Sequence, residues 1–144
     1  MADLAAAFQH ERIGVDTPIF ISHIAGTTHL AGEALDELAG GAFTGVTSVL
    51  TLMALAARRL HIRPPDVAEE YEVLLANDPN LVVAALDQPA SRRAAELRAG
   101  YRLRPAGAWQ VAACREQGAT AFLSNDRDLR RLTDFPVWML EDFV

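Results

Sequence analysis

The sequence contains a single cysteine, Cys114. No intramolecular disulfide can form, and this usage fits a reducing compartment, so a cytoplasmic protein is expected. Neither Cys-x-x-Cys nor His-x-x-x-His spacing occurs, and the four histidines lie at 10, 23, 29 and 61. That pattern argues against a zinc site. Gly-x-Gly-x-x-Gly and phosphate-binding loop motifs are also missing, which removes the nucleotide folds built on them. There is no internal repeat, low-complexity tract or linker. Excess positive charge is lacking too, the formal net charge being −6. The overall field of such a chain does not attract nucleic acid, so any RNA contact rests on a local patch. The arginines are clustered enough to form one: Arg58, Arg59 and Arg63; Arg92, Arg93, Arg98, Arg102 and Arg104; Arg127, Arg130 and Arg131. Such clusters also serve simply as solvated faces.

Residues 1–13 hold no long apolar stretch and carry Asp3 and Glu11, which is not the pattern of a secretion signal. From Leu38 to Ala57 runs a stretch of about 20 uncharged residues, ended by Arg58-Arg59 and long enough to span a bilayer. Its Gly40, Gly41, Gly45, Thr44, Thr47, Ser48 and Thr51 suit strand, turn and buried helix better than lipid, so no membrane partner is expected.

What is present is an ordinary globular composition, 51% hydrophobic and 22% charged over 144 residues. One domain spanning 1–144, with a full core, is expected. Strands read at Arg12–Val15, Ala42–Thr47, Leu81–Leu86, Thr120–Leu123 and Val137–Leu140. Helices read from Thr17-Pro18, over Leu30–Leu38 to the Gly40-Gly41 stop, over Val49–Leu60, and from an Asp66 cap after Pro64-Pro65 to about Asn77. Further helices span Gln88–Ala99, closed by Gly100, and Ala106–Gln117, closed by Gly118, with a short one after Ser124-Asn125-Asp126-Arg127-Asp128. Strands alternating with helices imply an α/β three-layer sandwich around a mostly parallel five-stranded sheet. Ligands in such sheets sit beyond the strands' carboxyl ends at the topological switch point. That rule selects Asp16, Thr47-Ser48 and Asp126.

A carboxylate at a strand's end can hold a divalent metal, and Asp16 and Asp126 each fit that role or that of a helix cap. Asp128 is a third ligand or a solvated first-turn acid. Thr47 and Ser48 can donate to a phosphate or cap the following helix. Cys114, in an alanine-rich helix, reads as a small buried residue, and Trp109 and Trp138 as core.

Four pieces together resemble the PIN-domain family, in particular the VapC-like toxin ribonucleases. They are Gly14-Val15-Asp16-Thr17-Pro18-Ile19-Phe20, Thr47-Ser48-Val49-Leu50-Thr51-Leu52, the stretch Ala94 to Arg104, and Ala121-Phe122-Leu123-Ser124-Asn125-Asp126-Arg127-Asp128-Leu129. The resemblance covers Ile13 to Leu140. It implies RNA cleavage by acids around Mg²⁺ or Mn²⁺, an antitoxin partner and a homodimer formed by the helices around Val49–Leu60 and Val67–Leu75. The family's first acid maps onto Asp16 and its last onto Asp126, with Asp128 beside it. Thr17, Thr47, Ser48, Asn125 and Arg127 are then the expected substrate contacts. The second family acid falls on Ala54 and the third on Gly107. Asp128, Glu96 and Asp66 are the acids available to compensate. The implied activity is therefore a weakened ribonuclease, a pseudonuclease that binds RNA or protein, or a domain that acts by dimerisation alone.

Overall fold

The computed structural model describes residues 4–27, 29–61 and 68–143. Helices α1 (Leu4–Phe8), α2 (Thr17–Ala25), α3 (His29–Ala39), α4 (Val49–His61), α5 (Ala68–Asn77), α6 (Gln88–Tyr101) and α7 (Pro105–Glu116) surround strands β1 (Arg12–Val15), β2 (Thr44–Ser48), β3 (Leu81–Ala84), β4 (Ala121–Ser124) and β5 (Val137–Met139). Two 3-10 turns, Arg127–Arg131 and Leu140–Phe143, flank β5. Pro64-Pro65 and the Asp66 cap lie outside the described residues.

The sheet order is β3-β2-β1-β4-β5, and every pairing is parallel, not merely most of them. Alternation along the strands divides the core in two. Ile13, Val15, Ala121 and Leu123 face a layer built with α2 and α3, where Ile19, Phe20, Ala34 and Leu35 are buried. Val46 and Phe122 face the opposite layer, where α6 and α7 contribute Ala94, Leu97, Ala108, Val111 and Ala112. Close approach of α7 to β1 depends on Gly14: a Cβ there would stand 2.9 Å from Phe122 Cε1 and 3.1 Å from Cys114 Cβ.

The long uncharged run is divided between the end of α3, β2 and most of α4. No described helix is long and apolar enough to cross a membrane. Cys114, Trp109 and Trp138 all pack against the core. Several boundaries differ from expectation by one or two residues; the second strand, for one, starts at Thr44 rather than Ala42. The third strand stops at Ala84 rather than Leu86. Gly100 does not close its helix; α6 continues through Tyr101, and Arg102 takes the left-handed conformation at φ 56°. That strained residue is held from both sides, because its N–H donates to the Arg98 carbonyl and its own carbonyl accepts from Arg131. Helix α1 and the short turn at Leu140 carry no strong periodicity and are features the sequence pattern did not reveal. Phe8, on α1, meets Phe43, Trp138 and Phe143 edge-on, with ring centroids 5.5–5.9 Å apart.

Candidate active site

Strands β2 and β3 extend from one side of β1, and β4 and β5 from the other. The direction of winding therefore switches between β1 and β4, where ligands of parallel α/β sheets bind. Asp16 ends β1 and Ser124-Asn125-Asp126 ends β4. The two ends are pinned together, since Val15 pairs with Leu123 and the Asp16 N–H donates to the Leu123 carbonyl at 3.0 Å. The Ser124 hydroxyl donates to Asp16 Oδ2 at 2.7 Å and accepts from the Asp126 N–H at 2.9 Å. One buried serine thus orients both acids.

Asp16 is nearly buried. Its Oδ1 accepts the Thr17 N–H at 2.9 Å, so the acid also caps α2. Burial raises its pKa to about 6, against the lowering effect of the Ser124 and Thr17 hydrogen bonds; the neighbouring Asp126 charge raises it further. Asp126 Oδ1 accepts the Asp128 N–H at 3.0 Å and caps the 3-10 turn. Each acid therefore fills the capping role as well as facing the cleft. No Arg or His among the described residues forms an ion pair with either carboxylate.

Asp16, Thr17 and Asp126 line one cleft of about 270 Å³, together with Pro18, Leu50, Met53, Ala54, Ala106, Gly107 and Gln110. Ala54 and Gly107 thus stand on the same cleft as the two acids, and its wall is mostly apolar. A Cβ on Gly107 would meet only Leu129 Cδ2 at 3.6 Å, an ordinary contact. Glycine is not required there by space or by backbone conformation.

Other expected site residues lie elsewhere. Thr47 and Ser48 are fully buried, and their hydroxyls are committed inward. They lie beneath the cleft and expose no surface to it. Ser48 also accepts the Leu50 N–H at 3.1 Å, as a cap does. Asp128 is not among the residues lining the cleft, and its carboxylate pairs with Arg131 at 3.3 Å. Glu96 lies in a separate depression with Arg92, Arg93 and Glu116, so it does not compensate for the missing acids. Asn125 is exposed. Arg127 is exposed beside the site and pairs with Glu141 at 3.2 Å. Among the described residues no group of three or more His, Cys, Asp or Glu side chains is placed to share a metal ion.

The residue that sequence inspection missed is Gln110, a fully buried polar side chain on an otherwise apolar face of α7. Its Oε1 accepts from Ser48, and its Nε2 faces the hydroxyls of Thr47 and Thr51 at 3.1 Å and Thr17 at 3.3 Å. The one available signal was its place within Ala-Trp-Gln-Val-Ala-Ala-Cys, where every other residue suits a core.

The PIN domain family model matches residues 13–134. The chain belongs to the PIN-domain family. Solved structures of toxin-antitoxin systems share its fold. A toxin-antitoxin complex from Klebsiella pneumoniae is 17% identical, with a TM-score of 0.69 over 89% of this chain and 97% of that one. VapBC2 from Rickettsia felis, bound to a promoter DNA fragment, is 13% identical, with a TM-score of 0.70 over 89% and 98%. DNA-bound VapBC from Salmonella typhimurium is 17% identical, with a TM-score of 0.68 over 90% and 98%. No curated protein matches the chain.

Proposed function

We propose that this chain is a cytoplasmic, VapC-like PIN ribonuclease with weakened phosphodiester cleavage, working with one Mg²⁺ or Mn²⁺ ion. The observation that carries this reading is that Asp16 and Asp126 line one cleft at the sheet's switch point without a cationic partner among the described residues. Two carboxylates fit one such ion, since Mg²⁺ commonly takes one or two protein carboxylates plus substrate phosphates and waters. They do not fit a two-metal clamp, because Ala54 and Gly107 occupy the positions of the other two acids. When bound, the ion supplies charge neutralisation for a phosphate and hydroxide near neutral pH.

The chain's own residues do the rest. Asp16 and Asp126 would hold the ion, oriented by Ser124. With Asp16 titrating near 6, its carboxylate is available to a cation above that pH and competes with a proton below it. Exposed Arg127 and Asn125 stand beside Asp126 to meet an RNA phosphate. A cognate antitoxin is the expected protein partner. A homodimer is supported by Val49, Met53 and Leu60 on α4 and Val73 and Leu74 on α5, which remain exposed.

A second reading, a pseudonuclease that binds RNA or a protein partner without cutting, is favoured by the apolar wall that Ala54 and Gly107 give the cleft. Calorimetric titration with Mn²⁺ of the native chain and of Asp16→Asn, followed by an RNA cleavage screen at millimolar Mn²⁺, separates the two. Binding lost in the variant, with cleavage by the native chain, supports the ribonuclease. Absence of cleavage at stoichiometric protein sinks it and leaves the pseudonuclease.

A further inference from the structure

Five side chains form one closed hydrogen-bonded cluster under the cleft: Thr17 from α2, Thr47 and Ser48 from β2, Thr51 from α4 and Gln110 from α7. Besides the Gln110 contacts, Thr51 Oγ1 lies 2.7 Å from Thr17 Oγ1 and 2.8 Å from Thr47 Oγ1. Among the described residues no buried side-chain polar atom lacks a partner. Burying an amide without partners is costly, so the members of the cluster depend on one another. Thr47, Ser48, Thr51 and Gln110 are fully buried, whereas Thr17 is half-buried at the cleft. Thr17 is also the residue whose N–H holds Asp16 Oδ1. A continuous path therefore runs from the Gln110 amide to the Thr17 hydroxyl and from the Thr17 N–H to the Asp16 carboxylate.

We propose that Gln110 is a positioning residue of this site, fixing through Thr17 the orientation in which Asp16 meets the cleft. Gln110 does this from α7 without a hydrogen bond to either acid, so its role is distinct from ligation. The inference rests on the metal-site reading for its affinity readout, but its geometric content stands apart from it.

The test uses Gln110→Met, which keeps the shape and removes the amide, Thr17→Val, which removes the hydroxyl, and Thr17→Ser, which restores it. Two quantities are read: Mn²⁺ affinity by calorimetry, and, in ¹⁵N-labelled Gln110→Met and native protein, the Thr17 backbone amide resonance. Gln110→Met and Thr17→Val are each expected to weaken Mn²⁺ binding by about 10–100-fold, the usual effect of losing an outer-shell partner. Gln110→Met is also expected to move the Thr17 amide signal. Thr17→Ser is expected to stay within about threefold of native, and the double variant to show little further loss because both changes cut one path. A folded Gln110→Met with native Mn²⁺ affinity and an unmoved Thr17 resonance overturns the proposal. Should Gln110→Met fail to fold, native affinity in Thr17→Val overturns it. Should the native chain bind no Mn²⁺, the metal reading fails, and the Thr17 resonance in Gln110→Met alone decides the positioning role.

Discussion

The Ser124 hydroxyl donates to Asp16 Oδ2 at 2.7 Å across the boundary between β1 and β4. Ser124 Oγ in turn accepts from the Asp126 N–H. Removing it should disturb both acids while leaving both in place. Ser124→Ala is expected to weaken Mn²⁺ binding by about 10–100-fold, as loss of an outer-shell hydrogen bond commonly does. Calorimetry checks the affinity, and thermal unfolding checks that the fold survives.

Asp16 makes stability depend on pH. Its pKa in the fold is about 6 against 3.8 for the free group. The folded state therefore binds more protons than the unfolded one between those values, and stability falls as pH rises through that window. The loss amounts to roughly 3 kcal/mol by pH 7, at 1.36 kcal/mol per unit. Asp16→Asn should match the native chain near pH 4 and exceed it at pH 7 to 8 without metal. Denaturant unfolding across pH 4–8 measures the difference; parallel native and variant curves would contradict it.

Gly107→Asp combined with Ala54→Glu should bring acids back to the cleft. Gly107 has room for a side chain, with Leu129 Cδ2 at 3.6 Å from the added Cβ. Mn²⁺ affinity is expected to rise about tenfold or more and RNA cleavage to increase with it. Without metal the variant should be less stable than the native chain, because added carboxylates repel Asp16 and Asp126. Calorimetry, a cleavage assay and melting with and without Mn²⁺ test the three statements.

Much of this site was legible because its acids follow short apolar strands. Asp16 after Ile13-Gly14-Val15 and Asp126 after Ala121-Phe122-Leu123-Ser124 stand where any parallel sheet presents ligands. The Thr47-Ser48 pair was legible as a polar break in an apolar run, but whether its hydroxyls face substrate or core depends on how deeply β2 is covered. Gln110 was illegible for the converse reason: a lone glutamine in a helix reads as surface until three other elements deliver hydroxyls to it. Arg102 was missed because Gly100 is the better left-handed residue locally, while the tertiary contact from Arg131 to the Arg102 carbonyl favours Arg102 instead.

Gly14→Ala should destabilise the protein by about 1–3 kcal/mol, the usual cost of overpacking a filled core. The added carbon meets Phe122 and Cys114 with no free space between β1 and α7. A shift in denaturant midpoint with unchanged slope is the expected result.

Met53 and Leu60 are 64% and 62% exposed on α4. On the proposed homodimer, Met53→Glu with Leu60→Glu should shift the mass to that of a monomer without lowering monomer stability by more than about 0.5 kcal/mol, as exposed positions tolerate charge. Mass measured by light scattering before and after the change gives the answer. An unchanged mass would place the dimer contact elsewhere or exclude one.

The strand order carries a consequence for the ribosome. Asp16 precedes the serine that orients it by 108 residues. Translation at roughly 5–20 residues per second separates their emergence by on the order of ten seconds. Through that interval β1 can pair with β2, but its other edge waits for β4. In a nascent chain the two carboxylates cannot meet until β4 and Asp126 have emerged, so the cleft is assembled only late in the folding of this domain.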